Sequence, residues 1–118
     1  MVRGIRGATT VTDNNSQEVL QATRELLIQL VEKNMIDLKD IASVLFTATQ
    51  DITCVFPAEA ARLIGWTNIP LICFQEMNVS GSLPLCVRIL MLVNTESNQD
   101  DIKHIYLHGA SVLREDLK

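Results

Sequence analysis

Arg88 is the residue that most strongly indicates chemistry, because it stands inside an otherwise apolar run. The run extends from Cys86 to Val93 and has the composition of a buried strand. Burying a charged side chain there costs free energy unless an anion pairs with it. The anion belongs either to a bound ligand or to an internal partner such as Glu76, which ends the mostly apolar segment 69–76. The sequence leaves both interpretations open.

Cys73 is the reactive side chain nearest to Glu76, and we interpret it first as a small core residue. No histidine or other base is visibly paired with it, which argues against nucleophilic catalysis. Strand parity places Cys73 and Glu76 on opposite faces, so one pocket takes both only if the strand bends or ends between them. Arg6 lies between Ile5 and Gly7, where glycine permits either close approach of a ligand or a turn.

His104, Tyr106 and His108 alternate along the chain and would share one face of a strand. Two histidines could bind a metal ion, but no third ligand stands near them, so we expect no metal site. Arg62 and Arg114 have the default interpretation of surface charge. Dispersed arginines without a nucleophile or a phosphate-binding loop suit two functions: binding of a small polyanion, or catalysis by electrostatics and shape.

Composition excludes several classes of protein. A chain of 118 residues with 47% hydrophobic residues predicts one folded domain, 1–118, rather than disorder. The net charge of -4 offers no basic surface for nucleic acid. Three cysteines without a CxxC spacing argue against a disulfide framework or a zinc site. The longest apolar runs are too short to cross a bilayer, and no signal-peptide pattern is recognised, so we expect a cytoplasmic protein without membrane partners.

These side chains must be positioned by a mixture of strands and helices. The clearest element is an amphipathic helix that begins after Asn15, with Glu18 completing a capping box, and ends near Asn34. The pattern predicts strands at 2–11, 41–48, 69–76 and 85–95, a short helix at 58–64 and a last extended region at 104–112. This order predicts an α+β fold in which helices cover one mixed sheet with two hydrophobic central strands.

Seven segments in order carry a family resemblance: 3–11, 55–58, 65–66, 73–77, 86–88, 105–107 and 112–114. Over nearly its whole length the sequence resembles the AroH class of monofunctional, trimeric chorismate mutases. The resemblance implies an isomerase of aromatic amino acid biosynthesis in the shikimate pathway. Such an enzyme converts chorismate to prephenate by a unimolecular Claisen rearrangement, without a cofactor. It also implies the family fold and a homotrimer with active sites at the subunit interfaces.

The resemblance assigns a role to each matching residue. Arg88 would face the ether oxygen of the breaking bond, with Glu76 and Cys73 near the substrate hydroxyl and ring. The residues implied in substrate binding are Arg6, Tyr106, Phe56, Ala58, Arg62, Ile72, Leu113 and Arg114. The sequence departs from the family pattern at Glu59, where relatives can carry a lysine, at Ile72 and in its short tail. Two alternatives are a trimeric imine/enamine deaminase and a non-catalytic module that binds carboxylate ligands.

Overall fold

Five strands form one mixed sheet in the computed structural model, which describes the backbone of residues 1–117 and the side chains of residues 1–113. The strands are β1 (Val2–Thr10), β2 (Ile41–Ala48), β3 (Leu71–Gln75), β4 (Cys86–Asn94) and β5 (Ile105–Tyr106). Their order across the sheet is β3-β2-β4-β1-β5. β4 is antiparallel to β1 and β2, whereas the outer pairs β1–β5 and β2–β3 are parallel. The predicted α+β class with one mixed sheet is confirmed.

Helix α1 (Ser16–Lys33) packs across one face of the sheet. Asn15 caps it as predicted by accepting the Glu18 N–H. Glu18 does not complete a capping box: its carboxylate accepts the backbone N–H and hydroxyl of Thr12 and so fixes the preceding turn. On the sheet, Gly7 faces this helix, and a Cβ there would lie 3.1 Å from methyl carbons of Leu26 and Leu30.

The hydrophobic core lies between α1 and this face of the sheet. Its fully buried residues alternate along the strands, as expected when one face is covered, and include Ile5, Val44, Phe46, Met91 and Val93. The short helix α2 (Glu59–Leu63) extends the same layer with its two buried alanines. The predicted helix at 58–64 is therefore confirmed with slightly narrower bounds.

The other side, called here the open face, is covered at one end. A C-terminal 3₁₀ helix (His108–Leu117) packs Ala110 against Ala8 and Cys86 there. Elsewhere on this face, described side chains such as Leu90 and Phe74 remain partly exposed. Within the described part of the chain, no helix has the length and apolar character needed to cross a membrane.

Two predictions about strands were wrong. The segment 69–76 forms the predicted strand with narrower bounds but is not mostly buried as expected: β3 lies at the sheet edge, with Ile72 and Phe74 about half exposed. An apolar run indicates burial on both faces, but α1 covers one of them. The prediction of an extended region at 104–112 was also wrong. β5 has two residues, and His108 takes a left-handed conformation (φ 52°) that starts the 3₁₀ helix. His104 and His108 consequently share no strand face.

Candidate functional site

One row of residues crosses all five strands on the open face. Register pairs Phe74 with Thr47, Thr47 with Arg88, Arg88 with Ala8, and Ala8 with Tyr106. Paired residues point to the same face of a sheet, so all five side chains lie on one surface. The small Ala8 side chain leaves space between the guanidinium and the phenol.

Arg6 belongs to the next row of the same face. Its register partner on β4 is Leu90, so Arg88 is its diagonal neighbour. Such diagonal pairs have Cα atoms about 7–8 Å apart, a spacing that long side chains easily bridge. Among the described residues Arg6 forms no salt bridge, and its side chain is exposed. Two guanidinium groups therefore serve one surface, and Arg6 retains its capacity to bind an anion.

Glu76 joins this surface from the residue after β3. Its Oε2 accepts a hydrogen bond of 2.6 Å from the hydroxyl of Thr47 and lies 3.6 Å from Nε of Arg88. The backbone N–H of Glu76 donates to the carbonyl of Ala48, which fixes where the chain leaves the sheet. The carboxylate is thus oriented by a neutral donor, and it contacts Arg88 at a distance longer than a hydrogen bond.

These residues line a cavity of about 310 Å³ with Tyr106, Arg6 and Arg88 on its polar side and Phe74, Leu45 and Leu90 on its apolar side. The Nε atom of Arg88 is buried and has no hydrogen-bond acceptor among the described residues. Its nearest acceptor is Oε2 of Glu76 at 3.6 Å, and the exposed part of the Arg88 side chain, 43% of it, remains for a ligand to contact. The cavity therefore suits a small molecule that carries carboxylates and an apolar ring.

The backbone of Arg6 is fixed by a hydrogen bond to a histidine side chain. Its N–H donates to Nδ1 of His104 over 2.9 Å. Burial, and secondarily the charge of Arg6, lowers the pKa of His104 below its ordinary value of 6.5. The ring is therefore neutral near pH 7. His108 instead contacts Glu25 at 2.9 Å, and no group of three metal-binding side chains occurs among the described residues.

Cys86 lies beside the site but does not enter its chemistry as a thiolate. The side chain is buried against Ala8 and Ala110. Burial raises the pKa of the Cys86 thiol, and the opposing influence of the nearby Arg88 is smaller. The thiol stays protonated near pH 7 and acts as a small packing residue.

A second cavity of about 610 Å³ lies at the edge strand β3, and other residues of the predicted site line it. Cys73 and Phe56 line it, together with Phe74 and Gln75. Cys73 pairs with Phe46 and faces the core side of β3, as strand parity indicated. Cys73 and Glu76 therefore do not line one pocket within a single copy of the chain. Phe56 is 73% exposed at the border of this cavity.

The remaining predicted residues are distributed around these two cavities. Ile72 is exposed on the open face of β3, and Ala58 is buried in the main core at the start of α2. Arg62 is exposed on α2 and forms a 3.0 Å salt bridge with Glu59. Leu113 packs near Ala8 from the C-terminal 3₁₀ helix, and the side chain of Arg114 lies outside the described residues.

Three residues at the first cavity were missed by the sequence reasoning. Thr47 orients Glu76, Phe74 supplies an apolar wall, and His104 holds Arg6. The sequence did contain a signal for Thr47, since it alternates with the buried Phe46 and must face the other side of β2. Its proximity to Arg88 depends on the pairing of β2 with β4, which no local pattern specifies.

Comparison with known proteins gives consistent matches over nearly the whole chain. The family model described as chorismate mutase type I matches residues 2–117. Chorismate mutase AroH from Bacillus subtilis is 48% identical over 118 residues, covering 99% of this chain and 93% of that protein. Chorismate mutase AroH from Thermus thermophilus is 50% identical over 119 residues, covering 100% and 98%. A solved chorismate mutase from Clostridium thermocellum superposes with a TM-score of 0.92 at 49% identity, covering 93% of this chain and 98% of that one.

Proposed function

Because this chain belongs to the chorismate mutase type I family, and is accordingly an isomerase that converts chorismate to prephenate, we propose that its open-face cavity carries the catalytic charges of that reaction. The observation that carries the proposal is the row formed by Arg88, Ala8 and Tyr106 with Glu76 beside it. The reaction is unimolecular: a C–O bond breaks and a C–C bond forms within the substrate. It requires neither a nucleophile nor a proton transfer.

Catalysis then consists of holding a compact substrate conformer and stabilising the charge that develops in the transition state. We assign to Arg88 the ether oxygen, where negative charge grows as the C–O bond breaks. Its side chain lines the cavity and pairs with Glu76 only at 3.6 Å, and this supports the role. A preorganised donor of this kind loses little energy to reorganisation during the reaction.

Glu76 has the position of a group that accepts the substrate hydroxyl. Its Oε2 is held by Thr47, and an oxygen of the same carboxylate can accept a ligand's proton donor. The 3.6 Å distance to Arg88 keeps the carboxylate close to the guanidinium without occupying it through a short hydrogen bond. Charge on Glu76 also favours positive charge that develops on the ring side of the transition state.

Arg6 and Tyr106 are proposed to bind a substrate carboxylate. Arginine presents a planar set of donors that matches a carboxylate in a bidentate manner. Tyr106 adds one hydroxyl donor from the strand on the other side of Ala8. These contacts hold the ground state and the transition state alike, so they lower KM and orient the substrate.

The remaining wall of the site is proposed to come from a second copy of the chain in a homotrimer. The first cavity is open, and apolar Ile72, Phe74 and Phe56 are 51%, 48% and 73% exposed. Cys73 and Phe56 lie on a different cavity from Arg88 in one copy, so both sets can face one substrate only across an interface. In this arrangement Cys73, Phe56, Ala58, Arg62 and Ile72 form one side, and Leu113 and Arg114 lie near the entrance.

The reaction is tested by incubating the purified protein with chorismate and following the loss of its enediene absorbance. Steady conversion to prephenate supports the proposal, and absence of conversion by folded protein contradicts it. The interface is tested by light scattering and by mixing two inactive variants, Arg88→Ala and Phe56→Asp, after unfolding and refolding together. Mixed trimers regain sites with two native halves, so activity should return. A fully active monomer would contradict the shared site.

A further inference from the structure

The part of β1 around Arg6 is joined to the edge strand β5 by a side-chain hydrogen bond as well as by a short backbone ladder. β5 pairs with β1 through two residue pairs. One position further along, the Arg6 N–H donates to Nδ1 of His104 rather than to a backbone carbonyl. On its other edge β1 is held by the ladder with β4, in which Arg6 pairs with Leu90. Because the β5 ladder is so short, the bond to His104 is a substantial part of what joins β1 to β5 beside the residue whose side chain enters the cavity.

The backbone beside His104 is hydrogen-bonded to the end of helix α1. The preceding residue, Lys103, donates its N–H to Oδ1 of Asn34 over 2.8 Å, and its carbonyl accepts from Nδ2 of Asn34 over 2.9 Å. Asn34 ends α1, and its Nδ2 also donates to the carbonyl of Leu30 in the last helical turn. The residue before His104 is thus joined by two hydrogen bonds between its backbone and the Asn34 side chain, at the end of the helix that covers the core.

The hydrogen bond requires a defined protonation state. Nδ1 can accept only when the ring is neutral, with its proton on Nε2. The charged group that acts on the ring is Arg6 from β1, and it opposes protonation as burial does. At the end of α1, the residue that contacts this segment is Asn34, which carries no charge. His108 of the 3₁₀ helix contacts Glu25 instead.

We propose that His104 is a positioning residue for Arg6, holding the backbone of β1 so that the guanidinium meets the substrate carboxylate. The inference rests on the proposed carboxylate-binding role of Arg6. Without the ring acceptor the Arg6 N–H loses its partner, and the β5 edge of β1 loosens beside the guanidinium while the ladder with β4 remains. Misplacement of a group that holds the substrate lowers affinity more than it slows the bound complex.

The matched variants are His104→Leu, which removes the acceptor, and His104→Asn, whose Oδ1 can occupy the place of Nδ1. For His104→Leu we expect KM for chorismate to rise by about 10- to 10²-fold, the range produced by displaced substrate-holding groups. The value of kcat should change by less than the value of KM. His104→Asn should recover most of the affinity. His108→Leu removes the other histidine of the same segment and should leave KM unchanged.

Two further measurements separate positioning from general stability. Hydrogen exchange of the Arg6 amide should accelerate in His104→Leu and stay slow in His104→Asn, with similar melting temperatures. In the native protein the neutral ring's contribution is present above the ordinary pKa of 6.5 and is lost as the pH falls through the lowered value. KM should therefore rise on acidification in the native protein but not in His104→Asn.

Arg6→Leu distinguishes failure of this inference from failure of the proposed function. If Arg6→Leu raises KM while both His104 variants leave KM and the Arg6 amide unchanged, His104 has no positioning role. If Arg6→Leu itself leaves KM unchanged, the carboxylate-binding role of Arg6 is wrong and the inference fails with it. A pH-dependent KM that persists in His104→Asn would also overturn the inference.

Discussion

Replacing Arg88 with citrulline tests whether the charge of this residue acts in catalysis or in folding. Citrulline keeps the shape and loses the charge. The competing structural role is the contact with Glu76, in which Nε and Oε2 are 3.6 Å apart and the side chains are 43% and 27% exposed. A pair this long and this exposed contributes ~0.2–1 kcal/mol to stability. For a domain of this size that corresponds to a change in Tm of about 4 °C or less.

The catalytic role predicts a much larger effect on turnover. Removal of one preorganised donor typically lowers kcat by ~10²–10³, about 3–4 kcal/mol. Loss of a full positive charge in the closed site should reach at least that range, with a smaller change in KM. Arg88→Lys restores charge without the planar donor set, so it should recover part of the rate. Arg24→citrulline, at an exposed position on α1, controls for the substitution itself.

The assay combines kcat, expressed per folded molecule, with a melting curve of the same preparation. We expect kcat to fall by at least ~10² while Tm moves by a few degrees. A near-normal kcat, with Tm lowered by no more than the few degrees expected of this ion pair, would show that Arg88 acts only as a structural partner of Glu76. It would refute the assignment of the charge on the ether oxygen to Arg88.

Three other variants test separate parts of the molecule. Cys73→Ala should keep substantial turnover, because the rearrangement requires no nucleophile and the thiol supplies only part of the proposed wall, and complete loss would restore a nucleophilic mechanism. Gly7→Ala should lower the free energy of unfolding by about 1–3 kcal/mol, because the added Cβ would lie 3.1 Å from two buried leucine side chains. Gly4→Ala is the control: its Cβ faces a leucine that is partly exposed, so parallel denaturant titrations should show a smaller loss of free energy of unfolding. Glu18→Gln should melt below the native protein at pH 7. Hydrogen bonds from Thr12 lower the Glu18 pKa below 4.5, so that difference in Tm should shrink as the pH falls through the lowered value; a constant difference would contradict this.

The parts of the fold and site that the sequence predicts are those with a local signal. The apolar periodicity of α1 and its Asn15 cap follow directly from residue spacing, and both are present. The sequence indicates Arg88 as a site residue because a charge in an apolar strand needs a partner. This inference requires no knowledge of the sheet order. Its neighbours Thr47 and Tyr106 lie beside it through pairings between strands that are distant in sequence. No local pattern contains that register.

The two errors in strand placement have different physical origins. An apolar run reports how much of a strand is buried, and it does not report what buries it. β3 has apolar residues on both faces, yet helix α1 and the core cover one of them. The proposed neighbouring subunit would cover the other. At His108, a single left-handed residue ends the extended segment, and nothing in its side chain marks that conformation in advance.

The position of β1 between β4 and β5 has a consequence for the synthesis of this protein. β1 is the first strand of the sheet to leave the ribosome, but its partners, β4 (Cys86–Asn94) and β5 (Ile105–Tyr106), are the last two strands of the sheet to follow. Until they emerge, β1 can pack on α1 while its hydrogen-bonding edges stay unsatisfied. Contacts between such distant segments slow folding, because loop closure must precede them. Arg6 and Arg88 therefore meet only after β4 has emerged, and activity should arise in one late, cooperative step.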